Sequence, residues 1–428
     1  MTSKNLLERG AAALARGLQR RDILATDLLR ACLERIDQRE PQVQAWAHRD
    51  GEAALARARA LDAGAIQGPL HGLPLGVKDI FDTHDMPTRH GSPIYADNRP
   101  PADAAVVALS RAAGAIVVGK TVTTEFATFQ PGPTRNPHDP SRTPGGSSSG
   151  SCAAVAAGMV PLAFGTQTAA SIVRPSSFCG VVGYKPSFGL LSRAGVKALG
   201  ESLDTIGAIG REVEDVALLA ATLSGDQRLL APRLDGPPRI GLYSNPAWAP
   251  IAAETHAALE QAAATLSRQG ATVQAATLPA GFDELAAVHT QIMAYETAVA
   301  LADERLRHGE QLSEKLRAVI EQGLALSRAD YALLRQRAAE AQASLAALYS
   351  QYDVLLAPSA SGIAPRHEEG TGDPGHCRVW TLLGVPCVNL PFAQGPGGMP
   401  VGLQAIGAQH ADARTLAAAD WMLARLRG

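Results

Sequence analysis

The sequence predicts a single α/β domain in which short apolar strands alternate with helices. Apolar runs of strand length occur in both halves of the 428-residue chain, so strands from both halves are expected to complete one sheet. Hydrophobic residues make up 46% and charged residues 19% of the chain. This composition provides a sizeable core and leaves no segment polar enough to be disordered.

The N-terminal segment 1–64 is predicted to form a helical collar around the core. Apolar residues recur at helical spacing from Leu28 to Ile36, behind a capping residue at Thr26, and an alanine-rich helix is expected over 52–63. Helices and buried strands then alternate from residue 65 onward, for example in the apolar runs 73–77 and 115–118. The segment 65–230 is therefore predicted to form an α/β core.

Two irregular segments are predicted inside this core. The segment 131–150 is so rich in Pro, Gly and Ser that regular structure is not expected, and long ordered loops inside domains are usually functional. A helix of small residues over 151–158 and a short strand over 162–164 follow, and then a second irregular segment over 165–180. The two loops therefore flank one closely packed helix.

The C-terminal half is predicted to add a helical layer and then to return to the sheet. The segment 281–350 contains few helix breakers, so it is read as several helices. Strands are expected over 353–357, 387–392 and 401–406, followed by an amphipathic helix over 412–426. The segment 351–428 is thus expected to complete a single domain that spans residues 1–428.

Charge and cysteine usage exclude several classes of protein. The 39 Lys and Arg residues balance 41 Asp and Glu residues at a net charge of −2, without a dense basic block, so nucleic acid is not an expected partner. The chain starts with charged residues, and its longest apolar stretch, 152–164, is interrupted by Gly158 and Pro161, so a cytoplasmic protein without a membrane partner is predicted. Five scattered cysteines without a Cys-x-x-Cys pair indicate reduced, buried thiols.

Two sequence patterns could mark an active site but are not the favoured candidates. The residues Gly146 to Gly150 fit the G-x-S-x-G pattern, with Ser148 as the nucleophile of an α/β-hydrolase, but the prolines before this pattern disfavour the strand that such an elbow requires. Acidic and histidine side chains that could gather around a metal ion are Asp79, Asp82, His84, Asp85 and His90. Their spacing matches no known metal motif, so an ordinary polar turn is the favoured interpretation and no metal or cofactor is predicted.

The third candidate is the pair of segments that end in Ser151 and Ser171. Loops of small residues expose backbone N–H groups, which form an oxyanion hole where they converge, and a serine at the end of such a run places its hydroxyl beside them. These loops resemble the amidase signature family of serine hydrolases, which use a Ser-cisSer-Lys triad. The resemblance spans nearly the whole chain and is carried by GPLHGLPLGVKD (68–79), GKTVTTEFA (119–127), NP (136–137), TPGGSSSGS (143–151), the segment 165–186, GVP (384–386) and MPVGLQ (399–404).

The resemblance implies a mixed, twisted β-sheet covered by helices on both faces, and a role for each matching residue. Ser171 is the implied nucleophile, Ser147 the relay serine on a cis peptide, and Lys78 the base, and the interval of 171 − 147 = 24 residues is the one the family motif requires. Lys78 follows an apolar run, so burial is expected to lower its pKa toward neutrality and let it accept a proton. The implied oxyanion donors are the backbone N–H groups of Thr168, Ala169, Ala170 and Ser171.

Several residues around these are expected to support the site or to bind substrate. Ser148, Thr166, Gln167 and Arg174 are the expected supporting residues, and the family pattern differs at two of these positions. The family usually has Asp-x-Gly-Gly before the nucleophile, whereas this chain has Gln167 to Ala170. Alanine at residue 170 would therefore cost roughly 1 kcal/mol if that residue needed a positive φ. The family's arginine commonly comes two residues after the nucleophile, whereas Arg174 comes three residues after Ser171. The residues expected from loop position to contact substrate are Phe129, Gln130, Arg378 and Trp380.

The predicted function is hydrolysis of a small carboxamide to a carboxylate and ammonia or an amine through an acyl-enzyme on Ser171. The expected partner is a small-molecule amide, no cofactor is expected, and a homodimer stays open. Two alternatives remain. The chain could be the amidase subunit of a tRNA-dependent amidotransferase, which the altered loop before Ser171 disfavours, or a binding relative with weakened catalysis.

Overall fold

In the computed structural model, which describes residues 6–230 and 233–428, one mixed sheet of eleven strands crosses the molecule. The strands are β1 Trp46–Arg49, β2 Pro74–Lys78, β3 Ile116–Thr121, β4 Leu162–Gln167, β5 Val182–Lys185, β6 Thr205–Gly210, β7 Arg239–Leu242, β8 Thr272–Ala275, β9 Val354–Pro358, β10 Cys387–Gln394 and β11 Pro400–Ile406. Their order in the sheet is β1-β3-β2-β4-β6-β5-β10-β11-β9-β7-β8. Strands from both halves of the chain thus form one sheet, as the sequence predicts, with β1–β6 on one side and β7–β11 on the other, joined where β5 pairs with β10.

Helices pack on the sheet and form a separate layer over 285–351. None of the helices within the described residues is long and apolar enough to cross a membrane. The α-helices are α1 Ala11–Gln19, α2 Ala25–Val43, α3 Gly51–Ala63, α4 Ala105–Ala112, α5 Ser149–Ala156, α6 Val173–Cys179, α7 Val213–Ser224, α8 Ala253–Arg268, α9 Leu285–Ala300, α10 Ala302–Arg307, α11 Glu314–Leu324, α12 Arg328–Gln351, α13 Gly375–Leu382 and α14 Asp412–Leu426.

The register of two neighbouring strands positions the site. β2 and β4 pair in parallel, with Leu75 opposite Leu162 and Gly76 opposite Ala163. Parallel neighbours finish at the same edge of a sheet, and this edge is where open α/β sheets bind their ligands. The C-terminal residues of these strands, Lys78 and Gln167, therefore lie at a common edge.

Helix α5 is the closely packed helix that the sequence predicts, and a glycine allows its approach. A Cβ atom on Gly150 would lie 2.3 Å from the carbonyl oxygen of Ala45 and 2.3 Å from the amide nitrogen of Val122. Any larger residue there would push the helix away from the backbone that it contacts. The loop before α5 is thereby held against the edge of the sheet where β2 and β4 finish.

Two local predictions were wrong. The segment 165–180 is not irregular, because β4 continues to Gln167 and α6 begins at Val173, with Pro175 in the first helical turn, where proline is tolerated. Thr26 does not cap α2. Its hydroxyl donates to Asp62 Oδ2 at 2.5 Å, and the helix begins one residue earlier, at Ala25.

Candidate active site

The side chain of Lys78 is fully buried at the end of β2. Its Nζ atom lies 2.8 Å from Ser147 Oγ and 2.7 Å from Thr166 Oγ1. Burial lowers the pKa of this amine to about 7, against a weaker opposing effect of the buried Asp204 carboxylate. Near neutral pH a large fraction of Lys78 is therefore uncharged and can accept a proton.

Ser147 is presented to Lys78 by a loop that Arg174 holds. The peptide bond between Gly146 and Ser147 is cis. Arg174 Nη2 donates to the Gly146 carbonyl at 2.7 Å and to Thr371 Oγ1 at 3.2 Å. The guanidinium thus binds the peptide group that carries Ser147, which gives the displaced family arginine a contact within the site.

Ser171 lies between β4 and α6, beside the loop that carries Ser147. Its carbonyl accepts a hydrogen bond from the Ser148 amide at 3.2 Å. Its hydroxyl forms no hydrogen bond with any part of the chain that the structure describes, and the residue lines a small cavity. Ser148 Oγ lies 3.3 Å from both the amide nitrogen and the carbonyl oxygen of Thr166, so the competing elbow serine is buried and engaged with backbone.

The carbonyl groups of residues 168–171 are all held by the scaffold. The Thr168 carbonyl is 2.7 Å from His289 Nε2, and the Ala169 carbonyl accepts from Thr381 Oγ1 at 2.7 Å. The Ala170 carbonyl accepts from the Arg174 amide at 3.1 Å, and that of Ser171 from Ser148. The amide N–H groups of residues 169–171 have no acceptor among residues 6–230 and 233–428, so they are free to bind an oxyanion.

The two alanines before Ser171 do not strain the backbone, because neither Ala169 nor Ala170 has a positive φ. Gln167 also fits its position. Its Oε1 accepts from the amides of Ile172 and Val173 at 2.9 and 3.0 Å, and its Nε2 donates to Thr381 Oγ1 at 2.9 Å. An amide both accepts and donates, so Gln167 connects the start of α6 to the hydroxyl that holds the Ala169 carbonyl.

We expect the Gln167→Met variant to be destabilised by about 3 kcal/mol, because the substitution leaves two buried amides and one buried hydroxyl without their partner. Urea unfolding of the two proteins measures this difference. The Gln167→Glu variant is the matched control: it retains the acceptor for both amides and should lose less stability at acidic pH, where the new carboxyl group is protonated. Equal stability of Gln167→Met and the parent protein would contradict this role.

The four residues expected to contact substrate occupy different environments. Phe129 lines the cavity that Ser171 lines, whereas Gln130 is exposed and its carbonyl accepts from the Glu125 amide. Arg378 contacts His289 and Thr290 instead of this cavity. Trp380 is fully buried in an aromatic cluster with Tyr243 and Trp248.

Only part of the acidic and histidine group considered as a metal site is assembled. Asp79 pairs with the buried Lys120 at 3.1 Å. Near the surface, donor atoms of His84, Asp85 and Asp103 lie within 4.8 Å of one another. The Asp85 and Asp103 carboxylates both pair with Arg111, at 2.8 and 3.1 Å. A guanidinium therefore occupies the position where a cation would gain most from these charges.

Three contributors to the site were not identified from the sequence: Asp204, His289 and Thr381. Asp204 Oδ1 accepts from Thr168 Oγ1 at 2.5 Å, and its Oδ2 accepts from the Leu199 amide at 2.8 Å. Each of the three contacts the loop at 166–171 from a distant part of the chain, and no local pattern marks such a residue.

Comparisons with known proteins agree with this geometry. The sequence model of a family described as Amidase matches residues 27–416. Curated relatives named as the A subunit of glutamyl-tRNA(Gln) amidotransferase include one from Cupriavidus necator, 33% identical over 96% of this chain and 97% of its own length, and one from Chloroflexus aurantiacus, 35% identical over 96% and 94%. A crystal structure of an amidase superposes with a TM-score of 0.89 at 33% identity, covering 97% of this chain and all of the other. The native peptide amidase from Stenotrophomonas maltophilia superposes with a TM-score of 0.85 at 29% identity, covering 98% and 97%.

These relatives correct one prediction. The charge balance predicted that nucleic acid is not a partner, whereas the curated relatives are named as a subunit of an amidotransferase for glutamyl-tRNA(Gln). The exclusion was wrong because a net charge of −2 argues only against a broad basic surface on this chain. It carries no information about an assembly in which other subunits contact the RNA.

Proposed function

The chain belongs to the amidase family of amide C–N hydrolases, and we propose that it cleaves a carboxamide through an acyl-enzyme on Ser171. The observation that carries this proposal is the 2.8 Å contact between Ser147 Oγ and a Lys78 amine whose pKa burial lowers to about 7. Such an amine can act as a base without a histidine. In this proposal the Ser147 hydroxyl, which the amine contacts, relays the proton from Ser171 to Lys78.

In the first half of the reaction Ser171 Oγ attacks the amide carbon. Its proton passes to Ser147 Oγ while the Ser147 proton passes to Lys78 Nζ, so the chain acquires one positive charge as the substrate oxygen becomes an oxyanion. The N–H groups of residues 169–171 stabilise that oxyanion. The C–N bond then breaks, the nitrogen takes the proton back through Ser147, and ammonia or an amine leaves.

In the second half a water molecule replaces the amine. It transfers a proton along the same path to Lys78 as its oxygen attacks the acyl carbon. Collapse of the second tetrahedral intermediate breaks the bond to Ser171 Oγ, which regains a proton from Ser147. The products are the carboxylic acid and the free enzyme, with no change in the charge of the site.

The lining of the cavity in front of Ser171 supports a substrate with an uncharged acyl group. Apolar side chains predominate in this lining, and they include Phe129, Leu199, Met293 and Val319. Within the described residues Arg174 is its one charged side chain, and that guanidinium already binds Gly146. Desolvating an ion without a partner is costly, so a neutral aliphatic or aromatic amide suits this lining best.

A second candidate function follows from the relatives. At 33–35% identity over nearly the whole chain, the amidase component of a tRNA-dependent amidotransferase is a direct alternative. That component would release ammonia from an amide donor for use by other subunits. If glutamine were the donor, a site for its α-ammonium and α-carboxylate groups would have to lie outside the cavity in front of Ser171.

Ammonia release from neutral amides and from L-glutamine separates the two candidates. We expect kcat/KM for a small aliphatic or aromatic amide to exceed that for glutamine at least about tenfold, because binding glutamine here would desolvate its charged groups. A preference for glutamine would favour the amidotransferase component. The Ser171→Ala variant is the control for contaminating amidases; inactivity of both proteins towards all these amides would favour the binding relative. A cytoplasmic location and the segment boundaries given above remain predictions.

A further inference from the structure

The contacts of His289 relate the helical layer to the loop before Ser171. His289 is fully buried on α9, and its Nε2 lies 2.7 Å from the Thr168 carbonyl. Met293 and Thr297 follow His289 on the same face of the helix, at intervals of four residues. Both line the cavity in front of Ser171. One face of α9 thus contacts both the substrate cavity and the backbone beside it.

The protonation of His289 follows from its second contact. Its Nδ1 lies 3.3 Å from Arg378 Nη1, and a guanidinium only donates hydrogen bonds. Nδ1 must therefore accept, so the proton of the neutral ring is on Nε2 and is donated to the Thr168 carbonyl. Burial and the Arg378 cation lower the pKa of His289 to about 3, which keeps the ring neutral in the working range.

The orientation of the next amide follows from the planarity of the peptide group. In a trans peptide the C=O of one residue and the N–H of the next point in opposite directions. Because His289 binds the Thr168 carbonyl, the Ala169 N–H points away from His289, and Ala169 itself lines the cavity in front of Ser171. Accepting a hydrogen bond at the oxygen also polarises the peptide and strengthens its N–H as a donor.

We propose that His289, oriented by Arg378, is a positioning residue that aims the Ala169 N–H at the oxyanion formed on the substrate. This inference rests on the proposed chemistry at Ser171. His289 touches neither substrate nor the reacting atoms. It acts by holding a peptide group, while Arg378 selects the ring nitrogen that carries the proton. Arg378 accordingly acts through His289, and not through the substrate contact predicted from its loop position.

A fluorophosphonate tests this proposal without a known substrate, because its phosphoryl oxygen gains negative charge as Ser171 attacks phosphorus. The expected change is a fall in the maximal labelling rate of the His289→Met variant by roughly 10- to 100-fold, with reversible affinity for the probe within about twofold. The His289→Gln variant has a side chain of matching length that retains an N–H donor. It should label within about threefold of the parent rate. Mass spectrometry assigns the adduct to Ser171.

His376 provides a matched control, since it is another buried histidine whose Nε2 contacts a backbone carbonyl, that of Pro250, at 3.0 Å. The His376→Met variant should label at the parent rate even if it is less stable. An equal slowing of His289→Met and His376→Met would overturn the proposal, as would failure of His289→Gln to recover the rate in folded protein.

The Arg378→Met variant gives a second route if His289→Met does not fold. It keeps the histidine but removes the donor to Nδ1, so the rate should fall by a smaller factor, roughly threefold to tenfold. A labelling rate equal to that of the parent would count against the tautomer argument. Absence of any Ser171 adduct in the parent protein would instead refute the proposed function itself.

Discussion

Replacing Ser171 with alanine is expected to lower turnover by at least about 10⁴-fold. The substitution removes the atom that forms the acyl-enzyme, so any remaining hydrolysis would require direct attack of water on the amide carbon without the covalent intermediate. Binding should change little, since the alanine keeps the backbone that lines the cavity. Steady-state ammonia release measures the loss, and binding of an unreactive amide analogue measures affinity.

The matched control for this variant is a buried serine remote from the site. Ser110 donates its hydroxyl to the Val106 carbonyl within α4, so the Ser110→Ala variant should keep the parent turnover. Residual activity of Ser171→Ala within about tenfold of the parent would assign the nucleophile to another group. In that event the neighbouring hydroxyl of Ser147 would be the next candidate.

Replacing Lys78 with methionine is expected to lower turnover by about 10³-fold, the usual effect of removing a general base. Methionine fills a similar volume, so the fold should be retained. The rate of the parent protein should rise with pH through about 7, because the uncharged amine is the active form. The residual rate of the variant should lack that rise, and the pH dependence of single-turnover acylation measures both.

The Lys78→Met variant should be less active than the parent protein but more stable. The pKa of Lys78 is about 7 in the folded protein and 10.5 in an unfolded chain, so the unfolded state binds more protons between these values. Burial of this amine therefore destabilises the parent protein most below about pH 7, and this cost disappears as pH rises toward 10.5. At about 1.4 kcal/mol per unit of pKa, the Lys78→Met variant should gain a few kcal/mol at neutral pH. Urea unfolding at neutral and alkaline pH measures this difference. A Lys78→Met variant that is less stable than the parent protein at both pH values would contradict the expectation.

Local sequence marked strands β2, β3, β4, β9, β10 and β11, whereas the mixed sheet with helices on both faces was implied by the family resemblance. Apolar runs marked β2 and β9, and the small residues of α5 marked a helix in close contact, because each pattern reports burial of one short segment. The segment 165–180 was misread because its small residues favour a loop locally. Pairing of Thr166 and Gln167 with β6 extends the strand regardless.

Some residues of the candidate site could be predicted from the sequence, and others could not. Lys78, Ser147 and Ser171 could be singled out because they stand in motifs with a family spacing. His289 and Thr381 reach the loop before Ser171 across 121 and 212 residues of sequence, and their own segments contain no motif. Gln167 was recognised as a departure from the family pattern, but its two acceptor contacts depend on the start of α6 and its donor contact depends on the position of α13. Such compensation becomes visible only when the tertiary contacts are known.

The pH dependence of fluorophosphonate labelling at Ser171 shows whether an uncharged Lys78 activates the nucleophile, because labelling has no contribution from product release. The rate should increase about tenfold per pH unit on the acidic side and level off above the Lys78 pKa of about 7. The Lys78→Met variant should label slowly at every pH. A parent rate that is constant from mildly acidic to alkaline pH would contradict an uncharged lysine as the base.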